Sequence, residues 1–262
     1  MSFETKSLLD TYSIGNVHIS QVNLISFSEQ IEYCVKNKIL GYVCVTNSRT
    51  VYLSQKDNLY ANIQNSSLLT VPDGMPLIWI AHNMGYKSVG RTCGPDIFNL
   101  LLEKSVSNGY SHYFYGGSSN SISIIQAKCR RDYAGIVIKG AISPPFQSID
   151  KFNINSIANE INKLKPTFFW CGLGAPKQEI LMSRLQPLLT DTICIGVGLV
   201  FDYYAGTVQR SPKWMQKVGL EWLYRVLQQP LKSKRVFFPF LWISFILFKS
   251  MFCKLRKKLD VK

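Results

Sequence analysis

Asp73 stands between Pro72 and Gly74, directly after the short apolar run 68–71. A carboxylate at the end of a strand can act as a general base; burial would raise its pKa and a nearby arginine would lower it. Pro-Asp-Gly is also a common turn former, so position alone leaves both readings open. Arg91, in Val89-Gly90-Arg91-Thr92, is a candidate partner for that carboxylate or a phosphate ligand, against the default of a surface cation. Gly116-Gly117-Ser118-Ser119 follows an apolar run and precedes a helical pattern, as a backbone cradle for an anion would. It contains neither G-x-G-x-x-G nor G-x-x-x-x-G-K-[ST], and an ordinary tight turn reads the same way. Gly174-Ala175-Pro176-Lys177-Gln178-Glu179 puts proline at a helix's first turn. Glu179 there would favour the helix dipole, while Lys177 and Gln178 could touch a ligand. Gly196-Val197-Gly198 and Asp202 admit the same pair of readings. Tyr203-Tyr204 follows Asp202, so no D-x-D of the kind that holds a divalent metal on a nucleotide diphosphate is present. Protein cations and amides would have to neutralise such a ligand.

Strand-like runs at 17–22, 41–45, 68–71, 112–115, 136–139, 167–171 and 192–197 would position these residues. Helical patterns lie between them at 26–37, 75–84, 95–108, 121–133, 154–164 and 177–185, the first with Ser26 or Ser28 as its cap. Strand–helix alternation with short links predicts an α/β fold, a Rossmann-like, mostly parallel sheet with helices on both faces. Ligands in such a fold bind beyond the carboxyl ends of the strands. Thr46-Asn47, Pro72-Asp73-Gly74, 116–119, 172–176 and 198–202 all fall there, and their clustering is a stronger signal than any one of them.

The charge of the chain is uneven. Of the net +14, Arg225 to Lys262 carries +9, from ten Lys/Arg and one Asp. Inside that segment, residues 236–248 hold one Ser, one Pro and no charge. Cations flanking so apolar a run suit an anionic membrane surface better than nucleic acid, which asks for cations spread over a face with polar readers. The run is too short for a straight span of ~20 residues, so a helix lying in the interface is expected. A marginal span read on through Lys249 to Cys253, with that lysine snorkelling, is the alternative, and self-association is another way to bury the same surface. The division expected is a catalytic body over 1–206 and a helical, membrane-associating appendage over 207–262. Hydrophobic content of 47% and charged content of 18% exclude disorder. The N-terminus shows no apolar targeting segment, and seven cysteines without C-x-x-C suggest buried thiols. His18, His82 and His112 are scattered, which argues against a zinc site or a Ser–His–Asp triad.

Taken together, the blocks VTNSRTVYLSQKDNLY (45–60), VPDGMPLIW (71–79), VGRTCGPDIF (89–98), YFYGGSS (113–119), FFWCGLGAPKQE (168–179) and IGVGLVFDYYAGTVQRSPKWMQKVGLEWLYRV (195–226) resemble the WecB/TagA/CpsF glycosyltransferases, glycosyltransferase family 26. The resemblance continues through the basic stretch to Arg235. Leu199 and Ser211 depart from the usual Gly and Ala without removing a functional group. The resemblance implies an inverting, metal-independent transferase without a cofactor. It would move a hexose or N-acetylhexosamine from a UDP-sugar to an undecaprenyl-diphosphate-linked sugar, at the cytoplasmic face of the bacterial membrane, in teichoic-acid, capsule or exopolysaccharide synthesis. Asp73 would be the base, with Thr46 and Asn47 orienting sugar hydroxyls and Arg91 and Gln178 holding the donor or developing charge. Gly116, Gly117, Ser118, Gly174, Lys177, Glu179, Gly198, Asp202 and Arg210 would line the substrate. Arg225, Lys232 and Arg235 of the appendage would close over the diphosphates, with Lys232 where arginine's bidentate geometry is lost. The competing reading is a non-catalytic, Rossmann-like nucleotide-binding module anchored to the membrane.

Overall fold

Runs rich in β-branched and aromatic residues form the strands, and each is stopped by a polar or glycine-bearing turn. A computed structural model describes residues 9–228 and 234–259, with side chains described over 9–228 and 237–252. The chain opens with a hairpin, β1 (Thr11–Ile14) paired antiparallel with β2 (Val17–Ser20). Then follow α1 (Leu24–Lys36), β3 (Tyr42–Thr46), α2 (Ser48–Ser54), α3 (Asn58–Asn65), β4 (Leu69–Pro72), α4 (Met75–Met84) and α5 (Gly94–Asn108). The second half contributes β5 (Ser111–Gly116), α6 (Ser119–Asp132), β6 (Val137–Ile142), α7 (Ile154–Leu164), β7 (Phe168–Gly172), α8 (Lys177–Leu185) and β8 (Ile193–Gly196). It ends with α9 (Val200–Ala205), α10 (Lys213–Lys217), α11 (Glu221–Gln228) and α12 (Lys234–Leu259).

Six strands form one sheet in the order β4-β3-β8-β7-β5-β6, every pair parallel. This is the α/β architecture expected from the sequence. Period-two alternation sends successive residues to opposite faces. On β7, Phe168 and Trp170 join one core with residues of α1, α5, α6 and α9, while Phe169 and Cys171 join a second core under α7 and α8. From β3 the chain steps outward to β4, and later returns through β7 to β8 on the other side. The strand order therefore reverses between β3 and β8, and a crevice opens beyond their carboxyl ends.

Several local expectations are revised. Asn23, not Ser26 or Ser28, caps α1, because its side chain accepts from the amides of Ile25 and Ser26. The run 198–202 is not all loop: its end enters α9, which puts Asp202 on a helix. The apolar run 236–248 is the middle of α12, which begins at Lys234 and contains Pro239. Among the described residues, no helix is long and apolar enough to cross a membrane.

A third core ties α12 to the body. Ile243 is fully buried in one cluster with Ile14, Val51, Leu77 and Ile80, and α12 packs on α4 and α2. Asn83 donates to the Ser250 hydroxyl at 3.1 Å, and Trp242 meets the Tyr52 ring edge-on. The opposite side carries Phe237, Leu241, Phe245, Phe248 and Phe252, at spacings of three and four residues and between 49% (Leu241) and 64% (Phe245) exposed. Ile243→Ala should therefore cost about 2–4 kcal/mol in chemical denaturation, as for a methyl-rich core cavity. Phe245→Ala on the exposed side should stay within about 0.5 kcal/mol. Equal effects would mean that α12 is not held to the body as described.

Candidate functional site

Two clefts lie beyond the carboxyl ends of β3, β4 and β8, and they share a wall made of Asn47, Arg49, Asp73, Glu221 and Arg225. The first, of about 190 Å³, continues past Arg91 between α4 and the helices α11 and α12. The second, of about 160 Å³, continues over the β3–β8 crevice, lined by Gly174, Gln178, Gly196, Gly198 and the start of α5 at Gly94 and Pro95.

Asp73 follows β4 directly and its amide donates to the Thr46 carbonyl at 2.8 Å, an extension of the β3–β4 ladder that fixes where its side chain starts. A fifth of that side chain remains exposed, at the neck where the clefts meet. Arg91 holds it from one side: its Nε donates to the Asp73 carbonyl at 2.8 Å, and its Nη2 lies 3.7 Å from Oδ1. The same Nη2 donates to Glu221 Oε2 at 2.5 Å, and Arg225 Nη2 donates to Glu221 Oε1 at 3.2 Å. Burial pushes the Asp73 carboxyl above its ordinary value; Arg91 opposes that, the Glu221 charge reinforces it, and Arg225 and Arg210 oppose it more weakly. Glu221 goes the other way: burial would raise it, but Arg225 and Arg91 together hold it below the usual carboxylate range. Two carboxylates near one arginine are thus shifted in opposite directions, Asp73 upward and Glu221 downward.

The expected residues divide into three groups. Asn47, Asp73, Arg91, Gln178, Gly174, Gly198 and Arg225 line the clefts. Asn47 caps α2 with its Oδ1, which accepts from Arg49 and Thr50, so the cap does not use its NH₂. Gln178 is almost wholly buried: its Oε1 accepts from the amides of Gly174 at 3.1 Å and Gly198 at 2.9 Å, and its Nε2 donates to Glu179. Both glycines sit at positive φ, 78° and 58°, which favours glycine at each turn and lets one side chain take both amides. Gln178 is therefore a clamp between two loops, and cations rather than these amides are left to face an anion. Arg225 packs over the Tyr203 ring, and its Nε is buried with no partner among the described residues.

A second group supports the walls without lining them. The Thr46 hydroxyl donates to Gln64 at 2.8 Å inside the core, so Thr46 acts through its carbonyl on Asp73. Glu179 is buried beside Tyr60 and Gln178, with its pKa raised by burial. Arg210 donates to Asp96 and to Cys93 Sγ. The remaining residues face elsewhere. Gly116 pairs with Gly172 at the end of β7, where a Cβ on Gly116 would come within 2.6 Å of it, and Gly117 lies against the Phe201 ring of α9. Ser118 caps α6, and Asp202 accepts from Ser121 at 2.7 Å, so these residues form a packed turn outside both clefts. Lys177 donates to the Gln147 carbonyl and lies over the Phe146 ring. Lys232 lies outside the described residues, as does the side chain of Arg235.

Sequence reasoning missed Arg49, Glu221, Trp222, Tyr203 and Phe240. Arg49 donates to the Ala175 carbonyl at 3.0 Å and so joins the α2 start to the turn after β7. The spacing of Glu221 and Arg225 at i, i+4 was a readable signal; that Glu221 also reaches Arg91, 130 residues away, was not. Among the described residues no three His, Cys, Asp or Glu are grouped so as to hold a metal ion.

The family model described as "Glycosyl transferase WecG/TagA/CpsF family" matches residues 12–257. The N-acetylglucosaminyldiphosphoundecaprenol N-acetyl-beta-D-mannosaminyltransferase of Bacillus subtilis (strain 168) is 27% identical over 229 residues, covering 87% of this chain and 88% of that protein. The enzyme of the same name from Bacillus spizizenii (strain ATCC 23059 / NRRL B-14472 / W23) is 26% identical over 230 residues, covering 87% of each chain.

The electrostatics of the neck can be checked without substrate. With carboxyl-labelled aspartate followed by NMR, Asp73 should titrate above an ordinary aspartate near ~4. Arg91→Gln removes a cation and should move it up by about one unit or more, whereas Glu221→Gln removes an anion and should move it down. Shifts of the same sign in both variants would contradict the arrangement.

Proposed function

The chain belongs to the WecG/TagA/CpsF family of glycosyl transferases, and from that membership we propose that it moves a sugar of the hexose or N-acetylhexosamine type from a UDP-sugar to an undecaprenyl-diphosphate-linked sugar. The observation that carries the reading is a single carboxylate with raised proton affinity, Asp73, exposed at the neck between two clefts and flanked by Arg49, Arg91 and Arg225. Two substrates that react with each other need such a meeting point. The names of the two relatives support an acceptor of this kind. Among glycosyltransferases, the non-catalytic module falls away.

In the proposed step, Asp73 takes the proton of the acceptor hydroxyl as its oxygen attacks the anomeric carbon of the donor. The new C–O bond forms on the face opposite the breaking bond to the β-phosphate, so the anomeric configuration inverts and UDP leaves with the electron pair. The donor diphosphate would lie in the second cleft, facing the N-terminus of α5 at Gly94 and the guanidinium of Arg225. Arg49 and Arg225 would stabilise the leaving charge, the task a metal performs in D-x-D sites. Arg91 tunes and orients the base. This assignment makes residues 207–262 the part that completes the site, because α11 supplies Glu221 and Arg225. The exposed Phe237–Leu241–Phe245–Phe248–Phe252 stripe with the flanking Lys and Arg would seat the enzyme on the cytoplasmic face of the membrane.

Asp73→Asn should lower kcat by about 10²–10⁴-fold while UDP-sugar binding measured by calorimetry changes little. A base must be ionised, so kcat/KM of the native enzyme should fall as pH drops through the raised Asp73 pKa, and that acid limb should vanish in the variant. Turnover should persist in EDTA. Near-native turnover by Asp73→Asn, or activity that only added Mg²⁺ or Mn²⁺ restores, would refute this assignment of roles. On sedimentation with vesicles, Phe245→Asp should weaken binding to anionic lipid; unchanged binding would remove the stripe from the membrane contact.

A further inference from the structure

Beyond their shared wall the two clefts are lined by different chemistry. The second runs on over glycine backbone and a helix N-terminus. The first runs on over hydrocarbon: Met75 and Pro76 of α4, Trp222 of α11, and Pro239 and Phe240 of α12. Trp222 and Phe240 stack with centroids 4.1 Å apart and planes inclined by 28°, which joins two appendage helices into one wall. Sugar hydroxyls would gain nothing from such a surface, and a diphosphate would lose hydration there. We propose that the first cleft is a subsite for the isoprenoid units next to the acceptor's diphosphate, with the Trp222–Phe240 stack as the wall along which the chain lies.

The inference rests on the acceptor class proposed above, and three features of the cleft carry it further. Charge comes first: Arg49, Arg91 and Arg225 cluster at the neck, and the apolar lining begins after them. A diphosphate beside those cations therefore directs its lipid into the apolar part and its sugar towards Asp73. Continuity comes second, because Phe240 lies between Phe237 and Leu241, which are 51% and 49% exposed. An apolar path thus runs from the neck to the outer stripe of α12. The third is construction. Pro239 is buried and Ile243 anchors the same helix in the core, so the wall is held by the body and not by a loose tail. Each isoprene unit buried against such a wall adds several methylene equivalents of transfer energy, enough for about tenfold in affinity or more.

The test uses the full chain and two water-soluble acceptors that share sugar and diphosphate, one capped with methyl and the other with a farnesyl chain. The native enzyme should favour the farnesyl acceptor in kcat/KM by about tenfold or more. Phe240→Ser and Trp222→Ser should bring that ratio towards one, and Phe240→Leu should keep most of it. Farnesyl diphosphate alone should inhibit competitively against acceptor. Transfer to both acceptors at equal efficiency would overturn the subsite and leave the glycosyltransfer reading standing. Variants that lose activity on both acceptors equally, with the ratio intact, would reduce the stack to a structural prop. Competition of farnesyl diphosphate with the donor would give the cleft to the nucleotide instead. No transfer to either acceptor would remove the proposed function, and the subsite with it.

Discussion

Glu221 is the joint on which the site depends. Its two oxygens accept from Arg91, which follows α4 on the sheet side, and from Arg225, one turn further along its own helix. A carboxylate so placed does three things at once. It satisfies two guanidinium groups in a partly buried setting, it pins α11 across the end of the sheet, and its charge lifts the proton affinity of Asp73. A neutral residue there would leave two cations to repel each other across the neck. The appendage is therefore tied to the carboxyl end of the sheet by an ion pair that also shifts the proton affinity of Asp73, so that one interaction sets both geometry and electrostatics at the neck.

The sheet explains why the neck is where it is. Six parallel strands place every carboxyl end on one edge, and at the β3–β8 boundary strands from the two ends of the fold lie side by side, with both clefts opening beyond them. The end of β5 carries a more conspicuous glycine motif, yet it packs against Gly172 of β7 and Phe201 of α9 and has no such room. Glycine content marks close backbone approach, and that approach can be to a ligand or to a neighbouring strand. Gln178 shows the complementary case: a polar residue at a strand end spends both ends of its amide holding two loops together.

The C-terminal helix reconciles two demands. One side, through Ile243, belongs to the body's third core; the other carries exposed aromatic and aliphatic side chains in numbers a soluble surface rarely shows. Between them, Pro239 and Phe240 border the first cleft. A single helix thus contacts core, first cleft and surroundings, and each contact constrains the other two. Through Glu221 and Ile243, α11 and α12 are each fastened to the body.

Much of this was legible beforehand for identifiable reasons. The seven strand runs and the helices α4, α7 and α8 are set by local periodicity and by proline and glycine at their ends, which sequence carries directly. Asp73 and Arg91 could be singled out because a carboxylate at a strand end and an arginine beside a glycine are recognisable as types, and the uneven charge pointed to the appendage. The first strand of the hairpin, the Asn23 cap and the helical place of Asp202 were not evident, since each depends on a neighbour that folding supplies. The same holds for Arg49, Glu221 and the Trp222–Phe240 stack, whose partners lie on other elements. Sequence alone determined the α/β class, the edge of the sheet where chemistry would occur and the residue types available there, because these follow from short-range patterns. Which of those residues face a cleft, which merely brace it, and which carboxylate has its proton affinity raised were decided by tertiary structure, because burial and charge proximity exist only once distant segments meet.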